Sequence, residues 1–162
     1  MSRLNVLLKA DLFYELPREH LERLAEACQE MTYAENAIIV QEYMPSDELY
    51  VIAKGRVEIV MDPRALDEAD ASGPGPIVVA TLLPGQTFGE IGLVDRGLRT
   101  ASARAASEEV QLLAIKRDGL LQLCEQDHHL GYLLMRNIAT DLAFKIRNTD
   151  LMVREQLLWK PK

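Results

Sequence analysis

Apolar positions change their period twice along the chain, and each change predicts a change of structure. Residues 3–10 form a short apolar stretch that predicts a brief helix. Pro17 then suits the first turn of a second helix. Leu21, Leu24, Ala25 and Cys28 recur at helical spacing, with Glu22, Arg23, Glu26 and Glu30 on the other side. From Tyr33 the pattern becomes strand-like. Ala37-Ile38-Ile39-Val40 is followed by a polar break at Pro45-Ser46-Asp47. Leu49-Tyr50-Val51-Ile52 and Val57-Glu58-Ile59-Val60 flank Ala53-Lys54-Gly55-Arg56, which predicts a hairpin. Pro76 to Leu82, Ala103 to Ala105 and Val110 to Ile115 supply further strands. The helical period returns over Asp118 to Glu125. Asp127 then stands as a cap for a last helix from about His128 to about Trp159, striped by Leu130, Leu133, Leu134, Ile138, Leu142, Ile146 and Val153.

Several short strands between helical ends predict an α+β fold: a small antiparallel β-barrel or jelly roll with N-terminal helices and a long C-terminal helix. The expected division of one domain, 1–162, is helices over 1–32, barrel over 33–116 and C-terminal helices over 117–160. Residues 62–75 are acidic, rich in Gly and Pro and aperiodic, which predicts an exposed, mobile loop between two strands. Gly73-Pro74-Gly75-Pro76 does not suit a phosphate cradle, because proline lacks the amide such a cradle needs. At a rise of 1.5 Å per residue the last helix is ~45 Å long, longer than a small barrel needs for cover. Its excess, ending in Leu157-Leu158-Trp159, predicts a homodimer or a partner protein on this helix. Lys145 and Thr149 interrupt its heptad.

Composition narrows the function. The chain has 162 residues, 48% of them hydrophobic, enough for one domain with a real core. A net charge of -7 argues against a nucleic-acid surface and requires any anion to be held by a local pocket. The first residues do not read as a signal peptide, and the longest uncharged run, Ala71 to Gly89, is broken by prolines and glycines. No membrane insertion is expected. The two cysteines, Cys28 and Cys124, fall in helical patterns and read as free thiols of a cytoplasmic protein. His20, His128 and His129 all lie outside the strands, so neither a metal cluster nor a nucleophile beside a base is apparent. The expectation is a binder with no catalytic residue, metal or cofactor.

The candidate chemistry sits in Phe88-Gly89-Glu90-Ile91-Gly92-Leu93, with Arg99-Thr100-Ala101-Ser102 following. A turn signal, Pro84-Gly85, leads into it. Two glycines bare the backbone so that a ligand can approach, the first amides of a helical turn have no internal partner, and an arginine fork can take two phosphate oxygens. Bare amides, one carboxylate and one arginine suit a small ligand with both a phosphate and a hydroxyl.

Phe-Gly-Glu-Ile-Gly-Leu followed by Arg-Thr-Ala-Ser resembles the phosphate-binding cassette of the cyclic-nucleotide-binding domain. This family includes the catabolite activator protein, protein kinase A regulatory subunits and cyclic-nucleotide-gated channels. Leu-Tyr-Val-Ile-x-x-Gly-x-Val-Glu, from Leu49, resembles the middle of the family's barrel. The chain departs from the family at Glu35-Asn36 and Glu42, turn positions where glycine is common. The resemblance implies a receptor for cyclic AMP or cyclic GMP. Glu90 would accept from the ribose 2′-hydroxyl and Arg99 would pair with the exocyclic phosphate oxygens. Gly89, Ile91 and Gly92 would give amides or clearance, and Thr100 a hydroxyl. The last helix would close over the base. Phe144, Lys145, Arg147, Asn148 and Thr149 fall within range, and Asn148 is the expected base contact, since an amide meets both donor and acceptor. In transcription regulators of the family a helix-turn-helix follows the long helix; here the chain stops at Lys162, so a stand-alone sensor, a subunit or an excised piece all fit. The rivals are a nucleotide-free interaction or dimerisation module that keeps the fold, a cupin-like metalloenzyme, and a DNA-binding regulator.

Overall fold

A computed structural model describes residues 2–45, 47–62 and 75–158. Two helices open the chain, α1 (Arg3–Leu7) and α2 (Arg18–Ala27), with a 3-10 turn at Asp11–Phe13 between them. The strands are β1 (Cys28–Ala34), β2 (Ile38–Val40), β3 (Glu48–Lys54), β4 (Val57–Met61), β5 (Ile77–Leu82), β6 (Thr87–Phe88), β7 (Ser102–Ala105) and β8 (Glu109–Lys116). Helix α3 (Glu90–Asp95) falls between β6 and β7, and α4 (Arg117–Gln126) and α5 (His128–Leu158) close the chain. The strands form two antiparallel four-stranded sheets, ordered β1-β8-β3-β6 and β2-β7-β4-β5. The expected jelly roll is therefore an open sandwich rather than a closed barrel.

Three layers follow from the side chains. Along β3, Leu49 and Val51 pack with Leu113 and Ile115 against helical residues such as Leu24, Leu130 and Leu134. The alternate residues, Tyr50 and Ile52, face Phe88, Leu112 and Ala105 inside the sandwich. The first sheet is thus covered on both faces, which is why β3 and β8 read as nearly continuous apolar runs instead of alternating ones.

Two elements differ from the sequence reading. The predicted hairpin is a sheet change: β3 pairs with β8 and β6, while β4 pairs with β5 and β7. A register shift between Ile52 and Lys54 bends β3, and Gly55, at φ 86°, turns the chain where a Cβ would strike the Glu109 carbonyl oxygen. Strand β1 begins at Cys28, where helix and then a later strand were expected. Cys28 and Glu30 pair with Ile115 and Leu113, so the helical spacing that included them was fortuitous. The departures at Glu35-Asn36 and Glu42 are absorbed locally: Asn36 and Tyr43 take left-handed backbone, at φ 67° and 64°, a region asparagine tolerates well. The predicted loop over 62–75 lies almost entirely outside the described residues, as does Trp159. Both described cysteines are free, and burial pushes the Cys28 thiol up to about 11.

Helix α5 divides into two parts. Leu130, Leu133, Leu134 and Ile138 are buried, and Asn137 Nδ2 donates to the carbonyls of Leu12 and Tyr14 at 3.0 and 2.7 Å. Beyond Lys145 the expected stripe leaves the body: Ile146 is 62% and Val153 48% exposed. Among the described residues, no helix is long and apolar enough to cross a membrane.

Asp127 caps α5 as expected, accepting from the Leu130 amide at 3.1 Å, while Arg23 Nη1 donates to its other oxygen at 2.9 Å. The Leu130 amide is the main cause that holds the Asp127 carboxyl below its ordinary value, with His20 and Arg23 adding to it against desolvation. A lowered carboxylate pKa contributes stability above the ordinary aspartate value and loses it as pH falls through the folded one. Asp127→Ala is expected to lower the melting temperature at pH 7, with the gap to the parent closing in acid. Thermal melts of both proteins from pH 7 to pH 3 check this.

Candidate functional site

Strand β6 delivers the chain into the cassette at one end of the sandwich, where Tyr50 of β3 pairs with Phe88. Their rings stack with centroids 4.9 Å apart, inclined by 11°. Gly89 follows in left-handed backbone, at φ 91°, and α3 starts at once with Glu90. Gly89 has two reasons to be glycine. Its φ disfavours a side chain, and a Cβ there would lie 2.5 Å from both Arg99 Nη1 and the Glu48 carbonyl oxygen. The bare corner is what lets the guanidinium lie against the backbone.

Arg99 is 6% exposed. Its backbone is clamped from both sides, because its amide donates to the Met44 carbonyl and its carbonyl accepts from the Tyr43 amide. The side chain runs inward. Nη2 donates to the Glu48 carbonyl at 3.1 Å and lies 3.6 Å from Glu48 Oε2, and the guanidinium sits over the Tyr50 ring, 5.6 Å from its centroid. Nε and Nη1 are buried with no hydrogen-bond partner among the described residues. Burial pushes the Tyr50 phenol well above its ordinary range, and the Glu48 carboxylate adds to this. The hydroxyl donates to Glu48 Oε2 at 3.3 Å.

Glu90 is 4% exposed. It does not turn to Arg99. Its Oε1 accepts from Lys145 Nζ of α5 at 2.8 Å, while Oε2 is buried without a partner. Lys145 also lies 2.8 Å from Asp141 Oδ2. Desolvation pulls the Lys145 ammonium down, but the Glu90 charge and the bonds to Asp141 and Glu90 outweigh it, and the net shift is upward. The site therefore offers two buried N–H donors on one group and one buried carboxylate oxygen on another. Leaving such groups unpaired costs about 1–3 kcal/mol each, and more when charged.

The expected residues thus separate by position. Gly89, Glu90 and Arg99 come together, and Gly92 is buried within α3. Ile91 is 38% exposed on the helix surface, and Thr100 is exposed beside Arg99. Asn148 is exposed on α5, three residues beyond Lys145 and so on the same face of the helix. Sequence reasoning left Glu48 out and gave Tyr50 only a place in a strand. Lys145 was one of five candidates by its place along the last helix, and with Thr149 it interrupted the apolar stripe. Among the described residues, no group of three or more His, Cys, Asp or Glu side chains is gathered to hold a metal ion.

Fold and site together define a β-sandwich domain with a guanidinium and a carboxylate turned inward from a glycine-cornered cassette. Residues 30–127 match the family model for the cyclic nucleotide-binding domain. The chain belongs to that family. It is 31% identical over 140 residues to the cyclic AMP receptor protein of Thermus thermophilus, covering 86% of this chain and 59% of that protein. It is 25% identical over 114 residues to human cGMP-dependent protein kinase 2, covering 70% of this chain and 14% of the kinase. The crystal structure of the N-terminal domain of a transcriptional regulator from Streptomyces coelicolor is similar, with a TM-score of 0.72 at 28% identity over 91% of this chain and 94% of that one. The chain thus spans less than two thirds of the length of each of these two curated relatives.

Gly89→Ala is expected to force a side chain into left-handed backbone and displace the Arg99 guanidinium. The expected loss is about 1–3 kcal/mol of stability, read as a lower denaturation midpoint in urea.

Proposed function

We propose that this domain is a cytoplasmic receptor for a cyclic nucleotide, cyclic AMP or cyclic GMP, and that it signals by repacking α5. The observation that carries the reading is the set of unpartnered buried atoms, Nε and Nη1 of Arg99 and Oε2 of Glu90. Unpaired N–H groups on a guanidinium suit the oxygens of a cyclic phosphodiester, and one carboxylate oxygen suits the ribose 2′-hydroxyl. Gly89 and Gly92 give clearance, Ile91 and Thr100 line the rim, and Asn148 reaches the base when α5 closes. Similarity to proteins named for cyclic AMP and for cGMP supports the ligand class and leaves the base open. The domain binds and does not catalyse; the chemistry described above is that of recognition.

The output passes through α5 to a second copy or a partner protein. Exposed Phe144, Ile146, Leu151, Met152 and Val153 on the outer part of α5 support this. The same surface supports a second reading, a nucleotide-free interaction module whose Arg99 is content with Glu48 and Tyr50.

Calorimetric titration with cyclic AMP and cyclic GMP separately decides between the two. Binding of one is expected, with Arg99→Ala weakening it by about 2–5 kcal/mol, the usual cost of removing one partner of a desolvated charge pair. Heat signals absent for both nucleotides would leave the interaction module. Truncation after Asn148 is expected to shift the protein toward monomer in light scattering, and an unchanged mass would reject the α5 interface.

A further inference from the structure

Among the described residues, one hydrogen bond joins α5 to the cassette: Lys145 Nζ to Glu90 Oε1, at 2.8 Å. Its place along the helix matters. N-terminal to it, α5 is fixed by buried leucines and by Asn137. C-terminal to it, every residue from Ile146 to Glu155 is exposed. Lys145 therefore stands where the helix parts from the body. The ammonium takes one oxygen of the carboxylate and leaves the other, Oε2, buried and unpaired. The same carboxylate thus faces the helix with one atom and the proposed ligand with the other.

Charge gives the linkage its sign. Lys145 is paired with Glu90 and Asp141, and Arg99 with Glu48, so across the two sets three acids face two bases before any anion arrives. A phosphodiester entering beside Glu90 adds another negative charge in a poorly solvated space. With Lys145 in place Glu90 is neutralised and the anion meets a tolerable field. With Lys145 withdrawn, the anion meets an unscreened buried carboxylate.

We infer that Lys145 is a positioning residue that makes ligand affinity and the docking of α5 a single linked equilibrium: it cancels the Glu90 charge through Oε1 and so presents Oε2 to the ligand hydroxyl. This rests on the cyclic-nucleotide reading above. Linkage is reciprocal, so a partner that pulls α5 away lowers ligand affinity by the factor with which ligand favours docking.

The test is a double-mutant cycle on the full chain, by calorimetry with whichever of cyclic AMP and cyclic GMP the parent binds. Lys145→Met is expected to weaken binding on the order of tenfold, and Lys145→Arg to recover most of it. In a Glu90→Gln background, where no carboxylate charge needs cancelling, Lys145→Met is expected to cost little more. Hydrogen exchange over residues 142–155 is expected to slow with ligand in the parent and much less in Lys145→Met, a change that general destabilisation would not produce. Parent-like affinity in Lys145→Met, or an equal loss in both backgrounds, would overturn the inference and leave the receptor reading standing. A parent that binds neither nucleotide would overturn both.

Discussion

The structure is organised around two opposite charges buried at one end of a sandwich that do not neutralise each other. Arg99 turns to β3 and lies on Tyr50; Glu90 turns to α5 and holds Lys145. A buried ion pair recovers its desolvation cost only when its geometry is good and its remaining hydrogen bonds are made. Here each charge is half satisfied by a different element, and Nε and Nη1 of Arg99 and Oε2 of Glu90 are left without a partner among the described residues. A fold tolerates such unsatisfied groups where strain is held by the surroundings. Both ends of this arrangement are held: the Arg99 backbone is clamped to Tyr43 and Met44, and Gly89 admits the guanidinium only because it lacks a Cβ.

What holds the cassette in turn is the doubly covered sheet. Strand β3 gives Leu49 and Val51 to the helical core and Tyr50 and Ile52 to the sandwich core, so it cannot slide by one residue without exchanging two apolar faces. Tyr50 is therefore a rigid platform, and its stacking on Phe88 fixes the residue directly before Gly89. The backbone carbonyl of Glu48, the first residue of the same strand, takes Arg99 Nη2. Core packing and site geometry are here one constraint, which is why the site is built from main-chain positions of β3 as much as from side chains of the cassette.

That coupling also explains what could be read from the sequence. The candidate cassette was legible because its chemistry is local: two glycines and an acid around one short helix, and an arginine in the loop that follows it. The Asp127 cap and the length of α5 were legible for the same reason. Pairing was less so. Glycine in a short connection between β-rich segments signals a hairpin, yet here the connection crosses from one sheet to the other, and only long-range partners such as β8 decide that. Strand β1 was hidden because Cys28 fits the helical stripe of α2 as well as it fits the register opposite Ile115. Glu48 and Lys145 were hidden more deeply. Each meets the cassette across a sequence gap of more than fifty residues, and nothing in their neighbours marks them. Lys145 showed itself only as one of five candidates by position along α5 and as a break in an apolar stripe, which polar surface residues produce as readily.

The division of α5 at Lys145 has an energetic reason as well as a geometric one. Nucleating a helix costs several fixed residues for one hydrogen bond, and isolated helices shorter than ~12–15 residues are marginal in water. The stretch after Lys145, Ile146 to Leu158, is about that length, and its described side chains from Ile146 to Glu155 are exposed. Its helical state therefore depends on continuity with the buried first half, and the Glu90 contact lies at the join. An ammonium held by two carboxylates at that point anchors the last helical turn that has the body behind it. In the receptor reading proposed above, a change in the charge around Glu90 would act on this join, and the outer stretch, with no other support among the described residues, would follow it.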